Sequence, residues 1–278
     1  TSWYKSGQLR EEFVYKDGDF AVLSFWDEAG VQKVKDGNGY YIYLDDYENK
    51  KREGMLKGGL EEAEWILYTD KGNKEALVTY TSGIKNGKCI NYFPDGKVKS
   101  EGDFKADKKN GFLHFYYRNG KLLMEGTIRN ELNEGKWTYW YEDGKKQTEG
   151  YFNEDKMDSL WTYWYDSGVK WKEGMYKNNF REGKWTVWYN TSKKFDEGEY
   201  KNGKQEGKWI SYYENGQVKD NGSFKNGIMH GRWEGYFQNG NKSYEGEYKD
   251  SVKTGLWITY FENTGKFFQK GNYKNGKK

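Results

Sequence analysis

Proline occurs once in this chain and cysteine once, at Cys89. A single cysteine rules out an intrachain disulfide framework and says little about compartment. Histidine occurs twice, at His114 and His230, far apart along the chain. With one cysteine beside them, no zinc cluster can be assembled. No apolar run is long enough to span a bilayer as a helix, and no signal peptide is recognisable. The chain begins at Thr1 rather than Met, which favours an exported or cell-surface location. Charge of one sign is also missing. The net charge is +3 over 278 residues, with −4 in residues 1–86 and +7 in residues 87–278. That is too mild and too interspersed for a nucleic-acid footprint. Isoleucine, leucine and valine are scarce, but 19% of the chain is aromatic. Disordered chains lack aromatics, so this one folds by burying rings.

Glycine is abundant, at 36 residues, and its placement is periodic. Gly87, Gly111, Gly135, Gly183, Gly207, Gly231 and Gly255 fall on a 24-residue lattice, and Ser159 fills the one vacancy among them. The lattice extends back to Ala63 and Gly39, giving ten frames that start at residues 39, 63, 87, 111, 135, 159, 183, 207, 231 and 255. Position three of the frame is Trp in seven of ten: Trp65, Trp137, Trp161, Trp185, Trp209, Trp233 and Trp257. Position six is aromatic in nine frames and position seven in eight. Glu and Gly follow at positions fifteen and sixteen, as in Glu149-Gly150 and Glu197-Gly198, and position eighteen is mostly aromatic.

A repeat of this length reads as one supersecondary unit, and its composition reads as a hairpin. Residues 137–141 are dense in β-formers. Glu142-Asp143-Gly144 is a turn whose glycine suits the positive φ of a short hairpin loop. The chain returns through Phe152, and residues 153–159 make a second, longer connection. Gly150 sits mid-strand, where glycine normally weakens a strand; its recurrence implies a neighbouring ring that needs the room. The expected fold is therefore all-β, an elongated solenoid-like array of antiparallel hairpins of about ten repeats over residues 39–278. Residues 1–38 are a degenerate cap, with Trp3-Tyr4-Lys5-Ser6-Gly7 matching positions six to ten of a frame.

These residues carry a resemblance to MORN repeats, short hairpins built around an aromatic-Glu-Gly-aromatic core and an Asn-Gly-Lys-x-x-Gly-x-aromatic link. The link appears here as Asn202-Gly203-Lys204-Gln205-Glu206-Gly207-Lys208-Trp209. The Gly-Lys-Trp opening resembles the bacterial MORN-variant class, whose members are often labelled antitoxin-like. The resemblance implies protein scaffolding, dimerisation or lipid contact and no common active site. The longer unit here departs from the eukaryotic form, which weakens the transfer of lipid binding. The Gly-Lys-Trp-x-Tyr-Trp-Tyr pattern also resembles the cell-wall-binding repeats of choline- and glucan-binding proteins, but the period and the Glu-Gly pair favour the MORN variant.

No constellation in the sequence calls for a cofactor, a metal or a catalytic group. A catalytic carboxylate pair would be local and unique, whereas the Glu ladder recurs in every unit. Lysines at positions two and eleven (Lys136, Lys145, Lys184, Lys208) are expected to answer it across strands. Asp45 and Asp46 read as solvated loop acids. The candidate binding residues are aromatic: Trp140, Trp164 and Trp188 at position six, where other frames carry Tyr, with Tyr139 and Tyr163 adding rings to the opposite face. Exposed aromatic strips mark binding surfaces; the same rings could instead stack as the array's own core. The favoured function is a non-catalytic scaffold with protein partners, itself included. Alternatives are a glycan or cell-envelope binder and an antitoxin or immunity protein.

A hairpin adds two strands of about 4.8 Å each, so ten frames predict a strip on the order of 100 Å long. Small-angle scattering should report an elongated particle. A radius of gyration near the ~19 Å of a compact chain of this length would contradict the array.

Overall fold

In the computed structural model, residues 1–16 and 19–278 are described; Asp17 and Gly18, within the 1–38 stretch, lie outside the described residues. Among these residues there are 24 β-strands and no helix. The chain divides into two units, Thr1–Leu132 and Asn133–Lys278. Within each, consecutive strands pair antiparallel, so each unit is a meander of hairpins.

One repeat of the second unit shows how the sequence builds it. The leading strand runs Leu132–Trp140, the returning strand Lys146–Asn153, and the next leading strand Lys156–Trp164. Between the first two, Tyr141 N–H donates to the Lys145 carbonyl and Gly144 N–H to the Tyr141 carbonyl, with Gly144 at φ 94°. The expected longer connection at residues 153–159 is not there. The returning strand ends at Asn153 and the next begins at Lys156. Glu154 and Asp155 make a two-residue turn, both at positive φ (48° and 64°). That left-handed pair matches the twist of the flanking strands, which is why such turns dominate tight hairpins. The residues read as loop, 156–159, are strand that contains a bulge.

That bulge explains the glycine lattice. Between strands Lys146–Asn153 and Lys156–Trp164, the second advances four residues, Asp158 to Thr162, against two on its partner, Glu149 to Tyr151. The lattice position takes up the excess with positive φ: 66° at Gly135, 62° at Gly183 and 65° at Gly255. Ser159 (59°) and Ala63 (60°) hold the same conformation without being glycine.

The bulge delivers the next tryptophan onto the strand glycine. A Cβ on Gly150 would lie 2.0 Å from Cδ2 of Trp161. The same encounter joins Gly54 to Trp65, Gly174 to Trp185, Gly198 to Trp209, Gly222 to Trp233 and Gly246 to Trp257. Each of these six indoles is buried and donates its N–H to the backbone carbonyl ten residues earlier, at 3.0–3.2 Å. Position-eighteen rings fill the intervals edge-on: Phe152 stands 6.1 Å from Trp137 and 5.1 Å from Trp161, and Tyr176 stands 6.2 Å from Trp161 and 5.1 Å from Trp185. The alternation continues through Tyr200, Phe224 and Tyr248 to Trp257. Each such pair contributes about 0.5–1.5 kcal/mol beyond area burial, so one face of the sheet carries a continuous core built from rings. Position seven ties repeats together from the hairpin end: the hydroxyl of Tyr141 donates to the Trp164 carbonyl, and Tyr165 and Tyr189 do the same to Trp188 and Tyr212.

The first unit uses the same parts with more aliphatic filling. Phe25, Val34, Tyr41, Leu56 and Trp65 form its buried cluster, and the Tyr41 hydroxyl donates to the buried carboxylate of Glu11 at 2.6 Å. Tyr4 closes its turn as Tyr141 does and donates to the Trp26 carbonyl. The lattice breaks between residues 21 and 39 because one returning strand, Gln32–Lys35, has only four residues.

Three substitutions test this packing. Gly150→Val is expected to cost at least about 2 kcal/mol by overpacking against Trp161, while Gln147→Val on the exposed part of the same strand leaves the melting temperature nearly unchanged; equal shifts would contradict the interlock. Ser159→Gly is expected to stabilise by about 0.5–1 kcal/mol, because it relieves a left-handed residue. Denaturant titration of Ser159→Gly beside the parent reads the sign directly.

Candidate functional site

The ring core occupies one face, carrying positions three, five, fourteen, sixteen and eighteen. The other face carries positions two, four, six, twelve and fifteen, and there the aromatic strip stands. Thr138, Thr162 and Thr186 are buried on it. Trp140, Trp164 and Trp188, the residues at position six, are partly exposed. They are two strands apart, and the interval is filled by ion pairs rather than rings. Lys146 pairs with Glu149 at 2.6 Å, Lys170 with Glu173 at 2.7 Å and Lys194 with Glu197 at 2.9 Å. The Lys146 ammonium lies 5.8 Å from the Trp164 ring centre, and that of Lys170 lies 5.3 Å from Trp188, within cation–π range.

The Glu ladder is thus a structural device, as its recurrence implies, but its partners differ from those expected. Position two contributes Lys136 to Glu149 and Lys184 to Glu197. The second lysine comes from position twelve, not eleven. Lys145 pairs with Asp143 and donates to the Asp166 carbonyl instead, because the turn points it away from the ladder. In four of the frames with Tyr at position six (Tyr68, Tyr116, Tyr212 and Tyr260) the phenol joins the ladder: Tyr116 donates to Glu101 at 2.6 Å and Tyr212 to Glu197 at 2.8 Å. Burial pushes the Glu197 carboxyl up, but hydrogen bonds from Lys194, Lys184 and Tyr212 outweigh it and hold it at about 2. Trp140, Trp164 and Trp188 have no phenol to offer, so the three central repeats exchange a tyrosine–carboxylate link for a larger apolar surface.

Around these tryptophans the same face exposes Tyr151 (42%), Leu160 (45%) and Met175 (43%); Leu160 and Met175 are directly opposed across strands. Sequence reasoning missed all three. The signal was present in the lattice, since position two is Lys at Lys136, Lys184 and Lys208, and Leu160 departs from it.

Tyr139 and Tyr163 stand on the other face. Tyr139 is stacked 6.3 Å from Trp137 and Tyr163 6.1 Å from Trp161, and burial raises both phenols. Phe152 and Tyr176 share that face, so they do not fill the intervals of the Trp140 strip. A polar group follows there: Lys172 lies 4.3 Å from the Tyr163 ring centre, and Arg181 donates to the Tyr200 hydroxyl at 2.9 Å and covers Trp185. Asp196, in the same row, is pushed up to about 6 by burial, against the pull of Arg181.

His114 lies 3.7 Å from Glu101 and 3.6 Å from Glu125. Cys89 is opposite Gly102, next to the Glu101–His114 pair in register, so it points to the other face. Asp45 accepts backbone N–H groups from Tyr47 and Asn49 within its own turn. Among the described residues, no group of three His, Cys, Asp or Glu side chains is placed to hold a metal ion.

The family described as MORN repeat variant matches residues 1–17, 85–106, 115–130, 133–154, 157–178, 205–226 and 229–250, together just over half of the chain. The chain belongs to the MORN repeat variant family. Five of the seven matched segments begin two residues before the lattice position, as 133–154 and 157–178 do, so each of these five MORN matches spans one leading strand, its turn and the return. No curated protein matches the chain. Among solved structures, it is similar to chains in the crystal structures of TcdB2-TccC3-Cdc42 (13% identity, TM-score 0.18) and TcdB2-TccC3 (14%, 0.17). Each alignment covers 87% of this chain, which spans 14% of those chains' length.

Asp196 gives the MORN array a measurable pH response. Its carboxyl is raised from 3.8 to about 6, so the folded state binds the proton more tightly than the unfolded one, and stability falls as pH rises through that window. Asp196→Asn is expected to be more stable than the parent at pH 7 by about 1–3 kcal/mol. The gain should vanish below about pH 4, as read by thermal melts from pH 3.5 to 8. A gain of equal size at pH 3.5 would contradict the burial assigned to this carboxyl.

Proposed function

We propose that this MORN array is a non-catalytic scaffold that binds a protein partner, a second copy included, on the face of Trp140, Trp164 and Trp188. The observation that carries the reading is the contrast between the faces. On one, the rings of the second unit are interlocked with their neighbours. On the other, three tryptophans and the exposed Tyr151, Leu160 and Met175 are collected in adjacent repeats, with the Lys–Glu ladder between and beside them. Such an arrangement has the anatomy of an interface: aromatic anchors at the centre and charged groups at the rim. Lys146 and Lys170 are already held by Glu149 and Glu173, so a partner meets oriented charges and loses little side-chain entropy on binding. Tyr139 and Tyr163 lie behind the sheet from this surface; they support Trp137 and Trp161, and a partner on the strip touches the tryptophans first.

The lattice supplies its own test. Leu160→Lys with Met175→Glu writes into this repeat the residues that the next one carries at the same positions, Lys184 and Glu199. This double variant is expected to melt with the parent and to lose the partner in affinity capture followed by mass spectrometry. It should also lose any self-association seen by sedimentation equilibrium. Retention of the same partner at parental strength by this variant and by Trp164→Ala would refute the assignment of the face.

A further inference from the structure

The ring core is interrupted in one place. Position three is Cys89 in the frame starting at residue 87 and Leu113 in the next, so two successive indoles are replaced by smaller side chains. The strand opposite Cys89 adapts: position sixteen, glycine before every tryptophan, is Val78 there, and Val78 pairs with Cys89. The strand opposite Leu113 does not adapt. Gly102 keeps the room an indole would use, and a Cβ there would lie 2.8 Å from Leu113 Cδ1. Phe104, at position eighteen between the two frames, has Cys89 and Leu113 where its counterparts have tryptophan. The consequence is a half-open pocket of about 350 Å³ on the ring face of the first unit, lined by Leu67, Val78, Cys89, Phe104, Phe115 and Ile128, with the Asn91–Ser100 hydrogen-bonded pair (3.0 Å) on its wall.

We propose that this pocket binds a small, neutral, planar aromatic molecule of one or two rings, held as the chain elsewhere holds its own indoles. The volume lies at the lower end of small-ligand sites, roughly 300–1,000 Å³. The groups that grip an indole in other repeats are in place. Phe104 offers the ring that elsewhere packs edge-on against tryptophan. At two of the seven tryptophans position twenty-three supplies a cation: Arg181 lies 4.6 Å from the Trp185 ring centre and Lys253 lies 4.2 Å from Trp257. Here that position is Lys85, 5.6 Å from Phe104, and Lys109, both on the pocket's lining. These lysines favour a ring face, and Glu75, Glu101 and Asp103 on the same lining offset their charge, so the site suits a neutral ligand. Asn91 and Ser100 offer an edge to a ring N–H or oxygen. Burial pushes the Cys89 thiol up, so it is a quiet wall residue, and it is the one cysteine in the chain, which makes it a reporter.

Indole is the probe. Titration calorimetry on the full chain should show one saturable site, and bound indole should slow alkylation of Cys89 by iodoacetamide. Leu113→Trp fills the pocket from within, using the room Gly102 already leaves. It should melt at or above the parental temperature and lose both indole binding and protection of Cys89. Phe104→Leu should weaken indole about tenfold. Absence of saturable binding, binding that leaves Cys89 alkylation unchanged, or parental affinity in Leu113→Trp would each overturn the site. If Leu113→Trp does not fold, the parental Cys89 protection and the Phe104→Leu affinity decide.

Discussion

A tryptophan ring laid on a glycine of the preceding strand is the contact on which the rest of this molecule depends. Seven of the ten repeats contribute an indole at position three, each preceded by a vacancy at position sixteen of the repeat before, and the indole of one repeat fills the vacancy of the last. No repeat can bury its own ring alone, which is the general condition of repeat architectures. The lattice glycine at position one serves the same contact, because its left-handed bulge turns the strand so that the indole arrives over the glycine. The position-eighteen ring then closes the interval, and the position-seven tyrosine fixes the hairpin end. A single sheet with few aliphatic residues thereby acquires a core.

Once one face is committed to that core, the other is free to vary. Its recurring element is the carboxylate at position fifteen, held by lysines from position two, position twelve or both and, at Glu53, Glu101, Glu197 and Glu245, by a tyrosine hydroxyl. Ion pairs at this exposure contribute little stability individually. What they do is fix the orientation of charges along a flat surface. The three repeats with Trp140, Trp164 and Trp188 change this face without changing the core behind it. Leu160 and Met175 do the same. The first unit does the converse: it alters the core, at Cys89 and Leu113, and leaves a pocket where the interlock is missing.

Much of this was legible in the residues alone. The 24-residue period, the hairpin turn at Gly144 and the need of Gly150 for a ring all follow from spacing and from what glycine permits. The assignment of Trp140 and Tyr139 to opposite faces follows from strand alternation. What was not legible depended on φ. Glu154-Asp155 lacks the glycine that usually announces a tight left-handed turn, so the connection read as longer than it is. The bulge at Ser159 was hidden for the same reason, since serine does not advertise a positive φ. Which lysine meets Glu149 depended on that geometry too, because a turn decides whether Lys145 or Lys146 points at the ladder. The exposed Leu160 and the pocket beside Gly102 were within reach, as departures from the lattice at single positions.

The interlock can be written where the chain lacks it. Val78 and Cys89 occupy the glycine and tryptophan positions of one repeat junction and already face each other across strands. A double-mutant cycle by calorimetry on Cys89→Trp, Val78→Gly and their combination measures the coupling directly. The interlock predicts that Cys89→Trp alone melts below the parent, that Val78→Gly alone does too, and that the pair together melts at or above it. Two destabilisations that simply add would show that the glycine does not make room for the indole, and would contradict the account.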